Sequence, residues 1–152
     1  MKGLIQRVSS ADVQVDGGVV GAVDRGLLLL LGVEKDDGES ATRRLVERVL
    51  GYRVFPDDAG RMNLSLQDIR GDLLIVPQFT LAADTRKGMR PSFSSSAPPE
   101  QARALYRRFM EMAHERITGQ GVGLNHVAGG IFGADMKVSL VNDGPVTFLL
   151  EV

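Results

Sequence analysis

The sequence predicts a layered α/β fold, a single domain over residues 1–152 with mixed β-sheet and two main helices. Three observations carry that expectation. Apolar residues recur at helical spacing in two stretches, about 41–52 and Pro99–Thr118. Strand-like runs precede, separate and follow them, an order that packs helices on a mixed sheet. A chain of 152 residues is long enough to bury one sizeable core.

Taken in order, residues 2–8 begin strand-like, and 13–15 and 19–23 flank Asp16-Gly17-Gly18, a hairpin signal. Residues 27–33 form a nearly unbroken aliphatic run, as in a central strand. Asp36-Asp37-Gly38-Glu39-Ser40 reads as a loop ending in a helix cap. The first helix then points Ala41, Leu45, Val46, Val49 and Leu50 inward, and Arg43, Arg44, Glu47 and Arg48 outward. Pro56-Asp57-Asp58-Ala59-Gly60 is a turn. Residues 73–81 read as a strand interrupted by Pro77, which suggests a bulge or an edge position.

Residues 82–98 form a long polar loop, after which Pro99 opens the second helix. Its apolar stripe is Ala102, Leu105, Tyr106, Phe109, Ala113 and Ile117, and residues 119–123 end it. Residues 136–141 and 146–152 flank Asn142-Asp143-Gly144-Pro145, which reads as a second hairpin. The arm after the turn is richer in apolar residues, as a strand buried on both faces would be. Pro145 fixes its own φ, donates no hydrogen bond and forces Gly144 away from helical geometry. The tip is therefore a stiff protrusion carrying bare carbonyl oxygens.

Composition narrows the function. A net charge of −1 argues against a broad nucleic-acid-coating surface but leaves room for contact with one end of a nucleic acid. The absence of cysteine excludes a disulfide framework and a thiolate zinc site. No apolar run approaches a membrane span, and Met1-Lys2-Gly3-Leu4 lacks the apolar core of a signal peptide. A cytoplasmic protein with no membrane partner is expected.

No familiar protein catalyst is legible. There is no G-x-S-x-G elbow and no H-E-x-x-H. His114, beside Glu111 and Glu115, reads as part of a solvated helix face. His126 precedes a glycine-rich loop and reads first as a packed or surface histidine, second as a base. Gly119-x-Gly121-x-Gly123 lacks a preceding strand and the nucleotide-fingerprint spacing. Asp36-Asp37 and Asp57-Asp58 are turn residues without calcium-loop spacing. No metal or cofactor is expected.

Two stretches are less ordinary. Pro77-Gln78-Phe79-Thr80-Leu81 places an amide, an aromatic ring and a hydroxyl at a strand end. The loop that follows carries Arg86, Lys87 and Arg90, candidates for phosphate contacts. Gly129-Gly130-Ile131-Phe132-Gly133-Ala134-Asp135-Met136 allows close approach, and Phe132 with Met136 offers a flat apolar surface for a base. The ordinary readings are an exposed basic loop and core packing under a glycine turn.

These motifs, with Gln6-Arg7-Val8, Lys87-Gly88-x-Arg90-Pro91-Ser92-Phe93 and Asn142-Asp143-Gly144-Pro145-Val146-Thr147, closely resemble the D-aminoacyl-tRNA deacylases, first known as D-tyrosyl-tRNA deacylases. The resemblance covers essentially the whole chain, with several separated motifs in the right order. It implies an obligate homodimer that hydrolyses the ester between a D-amino acid and the tRNA 3′ end. It also implies that Gly144-Pro145 is cis, enters the partner's active site and rejects L-aminoacyl groups. The same resemblance places Gln78, Phe79 and Thr80 in the pocket as the catalytic segment. Phe132, Gly133 and Met136 are expected at the terminal adenosine, and Arg7 as support for the Gly-Pro loop. Catalysis in the family is attributed to the tRNA's own 2′-hydroxyl, in keeping with the missing side-chain catalyst.

Backbone amides of Phe79 and Thr80 are the oxyanion candidates, each such donor supplying roughly 3–4 kcal/mol. Selection that blocks only an L side chain cannot see glycine, so glycyl-tRNA, including glycine mischarged on tRNA(Ala), is an expected substrate. The sequence departs from the family at Pro77, where most bacterial members have Ser. An animal branch that edits L-alanyl-tRNA also carries Pro here, but with Ala at the next-but-one position; Phe79 keeps this chain on the D-specific side. Two readings compete: a module that binds adenine nucleotides without turnover, and a hydrolase using Thr80 or Ser92 with His126.

Overall fold

Strand β1 (Lys2–Val15) is the hub of the sheet in the computed structural model, which describes residues 1–118 and 126–152, the side chains of 117 and 118 excepted. The expectations for Ile117 and for residues 119–123 lie outside the described residues. Along one edge β1 pairs antiparallel with β3 (Gly26–Gly32), from Lys2↔Gly32 to Val8↔Gly26, and then with β2 (Gly18–Val23). Two separate strands were expected over 2–8 and 13–15. The chain instead runs through as one strand that changes neighbour halfway. Asp16 (φ 50°) and Gly17 (φ 79°) form the expected hairpin turn, closed by the pair Val15↔Gly18.

Strand β6 (Asp72–Pro77) lies parallel to β3, and β7 (Val127–Gly129) parallel to β6. Parallel neighbours need crossovers. The first contains helix α1 (Glu39–Gly51) and the small hairpin of β4 (Phe55–Pro56) and β5 (Met62–Leu64). The second contains helix α2 (Pro99–Thr118), with the bounds expected. The sheet curls until β2 meets β7: a Cβ on Gly21 would stand 3.0 Å from the Gly129 carbonyl oxygen. The result is a mixed α/β domain with two helices and a nearly closed sheet.

The aliphatic run in β3 explains the core. Leu27, Leu29 and Leu31 pack toward the helices, while Leu28 and Leu30 join a second cluster with Val8, Val13, Leu74 and Val76. A strand buried on both faces needs no alternation, which is why 27–33 reads as a plain apolar run. Helix α1 buries Thr42, Leu45, Val46, Val49 and Leu50 against the first cluster, and Phe109 and Ala113 of α2 are fully buried beside it.

Three expectations need correction. Helix α1 starts earlier than expected, and Ser40 lies inside it. Gly38 is the N-cap, and its carbonyl accepts from both the amide and the hydroxyl of Thr42, each at 3.0 Å. The strand expected over 73–81 ends at Pro77. Pro77 has no N–H with which to continue the ladder, so the last bond is Gln78 N–H to the Leu31 carbonyl, and Phe79–Ala82 follows as one 3-10 turn.

The third correction concerns 136–152. Strand β8 (Lys137–Glu151) does not fold back on itself; both arms pair with the second edge of β1. Gln6 pairs with Thr147 and Val8 with Asn142, so residues 143–146 leave the ladder as a loop and rejoin it. Nor is the second arm buried on both faces: Phe148 and Leu149 are exposed, Leu149 by 51%, as is Val141 at the end of the first arm. The other edge of β8 has no strand beside it among the described residues.

Candidate active site

The two unusual stretches meet where the parallel strands end. A cleft of about 520 Å³ opens there. Pro77, Gln78 and Phe79 form one wall, and Phe132, Gly133 and Met136 another. Ala102 and Tyr106 of α2 close its floor, with Leu31 and Val138 from the sheet. The juxtaposition follows from the register: β6 and β7 run parallel with Ile75↔Gly129, so the segments leaving their ends emerge side by side.

Glycines set the width of the cleft. A Cβ on Gly130 would lie 2.6 Å from Met136 Sδ and 3.3 Å from Pro77 Cδ, and one on Gly129 would lie 2.7 Å from the Tyr106 hydroxyl. Those positions admit no side chain without moving a wall. The Tyr106 hydroxyl donates between the Gly130 carbonyl at 2.9 Å and the Ile75 carbonyl at 3.2 Å, tying α2 to both walls. Burial pushes its phenol up to about 12. Sequence reasoning placed Tyr106 only in the helix core; the signal was one hydroxyl on an otherwise apolar stripe. The Arg103 guanidinium, also not anticipated, lies 5.1 Å from the centre of the Phe132 ring.

At the strand end the Gln78 side-chain amide donates to Thr80 Oγ1 at 2.6 Å. Phe79 is 60% exposed and packs on Phe93, ring centres 5.2 Å apart. The amides of Phe79 and Thr80 open the 3-10 turn and have no acceptor among the described residues. The first donors of any helical turn lack an internal partner, so this segment presents two N–H groups at the edge of an apolar cleft.

His126 stands far from this segment. It precedes β7 and donates its amide to Asp72 at the opposite end of β6, roughly 20 Å of strand away from Thr80 at ~3.3 Å per residue. His114 is exposed on α2. No nucleophile–base pair is assembled from Thr80 or Ser92 with His126. Among the described residues no group of three or more His, Cys, Asp or Glu is placed to hold a metal, and no helix is long and apolar enough to cross a membrane.

The basic loop is more ordered than its sequence suggests. Asp84 and Ser92 exchange backbone hydrogen bonds at 2.7 and 3.0 Å. Arg86 grips the Asp84 carboxylate through Nε (2.9 Å) and Nη2 (2.7 Å), which holds that carboxyl well below the usual carboxylate range and raises the guanidinium's own pKa. Arg86 therefore closes the loop, while Lys87 and Arg90 are exposed without an ion pair among the described residues.

Gly144 and Pro145 lie elsewhere. Their peptide bond is cis and Gly144 has φ 131°. Arg7 donates through Nε to the Asp143 carbonyl at 3.0 Å and through Nη1 to the Val54 carbonyl at 2.6 Å. The Val146 amide donates to Asn142 Oδ1 at 3.1 Å across the base of the loop. No residue of 142–147 lines the cleft of its own chain.

A curled mixed sheet with a glycine-backed aromatic cleft at the end of its parallel strands defines a small α/β domain suited to holding a flat apolar group beside a polarised one. The model of the D-Tyr-tRNA(Tyr) deacylase family matches residues 4–151. A D-aminoacyl-tRNA deacylase of Alkalilimnicola ehrlichii is 62% identical over 151 residues, covering 99% of this chain and 96% of the relative. One from Ectopseudomonas mendocina is 57% identical over the full length of both. The solved structure of a c-Myc DNA unwinding element binding protein superposes with a TM-score of 0.91 at 37% identity, covering 100% of this chain and 99% of the other. That of a probable eukaryotic D-amino acid tRNA deacylase shares the fold, with a TM-score of 0.85 at 20% identity and coverage of 99% and 98%. The chain belongs to the D-Tyr-tRNA(Tyr) deacylase family. It is an enzyme of that family, a D-aminoacyl-tRNA deacylase that hydrolyses a carboxylic ester.

Proposed function

We propose that this enzyme removes D-amino acids, and glycine mischarged on tRNA(Ala), from the tRNA 3′ end, while L-aminoacyl-tRNA is left intact. The observation that carries the mechanism is the pair of unpartnered amides at Phe79 and Thr80, beside a cleft whose lining among the described residues has one unpartnered hydroxyl, Ser96, and no histidine or carboxylate to activate it. An aminoacyl ester is already activated. Two donors aimed at the developing oxyanion, with the tRNA's own 2′-hydroxyl assisting attack, supply what the side chains do not. Phe132, Gly133 and Met136 receive the terminal adenosine, and Lys87, Arg90 and the loop closed by Arg86 meet tRNA phosphate.

The site is completed by a second copy of the chain. The Gly144-Pro145 tip does not line its own cleft, while β8 has no strand along its other edge among the described residues and exposes Val141, Phe148 and Leu149. Exposed strand edges and apolar strips of this kind favour association. In the homodimer each tip enters the partner's cleft, its carbonyls hold the substrate's α-ammonium and its backbone fills the space of an L side chain. Arg7 holds the tip. The enzyme acts in the cytoplasm, where aminoacyl-tRNA is made.

Single-turnover deacylation of D-aminoacyl-tRNA tests this reading. Thr80→Ala and His126→Ala retain most of the rate, and a 2′-deoxy terminal adenosine abolishes it. Full activity on the 2′-deoxy substrate would remove the role of the hydroxyl. Binding of adenosine without turnover would reduce the protein to a binding module. Pro77 in the cleft wall favours one further reading: rapid cleavage of L-alanyl-tRNA would place the enzyme with the animal branch.

A further inference from the structure

Two cations on α2 have no assigned role. Arg103 lies over the Phe132 ring at 5.1 Å and beside Gly133, where a Cβ would be 3.9 Å from its Nη2. Arg107 is four residues on, hence on the same helix face and one turn further from the cleft. Both are exposed, and neither has an ion pair among the described residues. Their neighbour Arg108 differs: it is paired with both Glu39 and Glu111. Arg116 is paired with Glu47. Helix α2 thus neutralises the cations that face α1 and leaves unneutralised the two that lead away from the mouth of the cleft.

We propose that Arg103 and Arg107 form a phosphate track for the single-stranded RNA 3′ end, Arg103 taking the phosphate nearest the terminal adenosine and Arg107 the next along the strand. The proposal rests on the reading of the cleft as an adenosine site. A base against Phe132 puts its own sugar-phosphate at the rim that Arg103 occupies. The Phe132 ring also holds the guanidinium in a fixed place, so less side-chain freedom is lost when phosphate binds. The basic loop at 86–90 belongs to the other wall: it lies between the turn that carries Phe79 and Phe93, which packs on Phe79.

The experiment is equilibrium binding of a fluorescent acceptor-stem minihelix ending in single-stranded CCA, with free adenosine as a phosphate-less ligand. Arg103→Ala weakens the minihelix roughly tenfold at low salt, as loss of one charge-assisted contact does. It also lowers the slope of log K against log salt by about one. Arg103→Lys restores most of the affinity and the slope. Arg107→Ala acts in the same direction more weakly, and adenosine binds each variant as it binds the wild type. Unchanged minihelix affinity in Arg103→Ala, or an equal loss for adenosine, would overturn the proposal, the latter because Arg103 would then only support Phe132. Deacylation measured in parallel separates the two readings. A protein that binds the minihelix through Arg103 but cleaves nothing retains the track and loses the proposed function. Cleavage with no Arg103 dependence of binding does the reverse.

Discussion

Arg7 and Asp143 are joined twice: Arg7 Nε reaches the Asp143 carbonyl at 3.0 Å and its carboxylate at 3.2 Å. The same guanidinium also reaches the Val54 carbonyl, so one side chain from β1 ties the Gly144-Pro145 loop to the segment after α1. Arg7→Ala removes charge-assisted bonds from a side chain only 11% exposed, at a cost of about 2–3 kcal/mol of stability. Chemical denaturation measures that loss. The D-aminoacyl rate falls more than stability alone accounts for, and Arg7→Lys recovers little because it cannot reach both carbonyls with a planar group. Full activity in Arg7→Ala would show that the loop holds itself.

Gly144 tolerates no side chain. Its φ of 131° belongs to a region that is nearly glycine-only, and a Cβ would lie 2.7 Å from Val146 Cγ2 and 3.0 Å from Arg7 Nη2. Gly144→Ala shifts the tip while the ladder on either side remains. Circular dichroism stays native, stability drops by about 1–3 kcal/mol, and discrimination against L-aminoacyl-tRNA weakens. Unaltered discrimination would place chiral selection outside this loop.

The proposed discrimination by exclusion makes a specific ranking. D-alanyl-tRNA is cleaved fastest, glycyl-tRNA at a reduced but measurable rate, and L-alanyl-tRNA is spared. Losing one methyl from a pocket costs only ~1–3 kcal/mol, so glycine is weakened rather than excluded. The three substrates assayed side by side check the ranking. Glycyl-tRNA as inert as L-alanyl-tRNA would mean positive recognition of the D side chain.

Tyr106 produces a pH signature. Its phenol has a folded pKa of about 12 against an ordinary 10.0. The stabilisation is therefore complete below pH 10 and is lost as pH rises through about 12. The shift corresponds to roughly 2–3 kcal/mol, read as the difference between wild-type and Tyr106→Phe unfolding curves over that window. At neutral pH the same substitution costs ~1 kcal/mol through the lost hydrogen bond. A difference curve flat to pH 12 would show that the phenol is not held neutral by the fold.

What was legible in the sequence was local. The Leu27 to Leu31 run and the stripe from Ala102 to Ala113 identify their elements because burial dictates every residue in them. The strand β8 was misread because Asn142-Asp143-Gly144-Pro145 has the same composition whether the chain reverses or merely steps out of a ladder. Only the distant pairs Gln6↔Thr147 and Val8↔Asn142 decide between the two. The residue types of the cleft walls stood out, but their meeting depends on β7, whose 3 residues carry no periodicity of their own. Arg103 was invisible for a similar reason: on a helix surface one arginine resembles another until its neighbours are known.

The pairing of β1 with β8 also orders events during synthesis. Lys2 is matched with Glu151 and Gln14 with Lys137, so β1 waits for β8, which is made more than a hundred residues after it. Contacts this distant in sequence form slowly, and until they form β1 has an unmatched edge. The Gly144-Pro145 loop is shaped only where β8 lies along β1. A chain without β8 in place therefore has no finished tip, and the proposed ability to tell one hand of amino acid from the other would arrive only with the closing of the sheet.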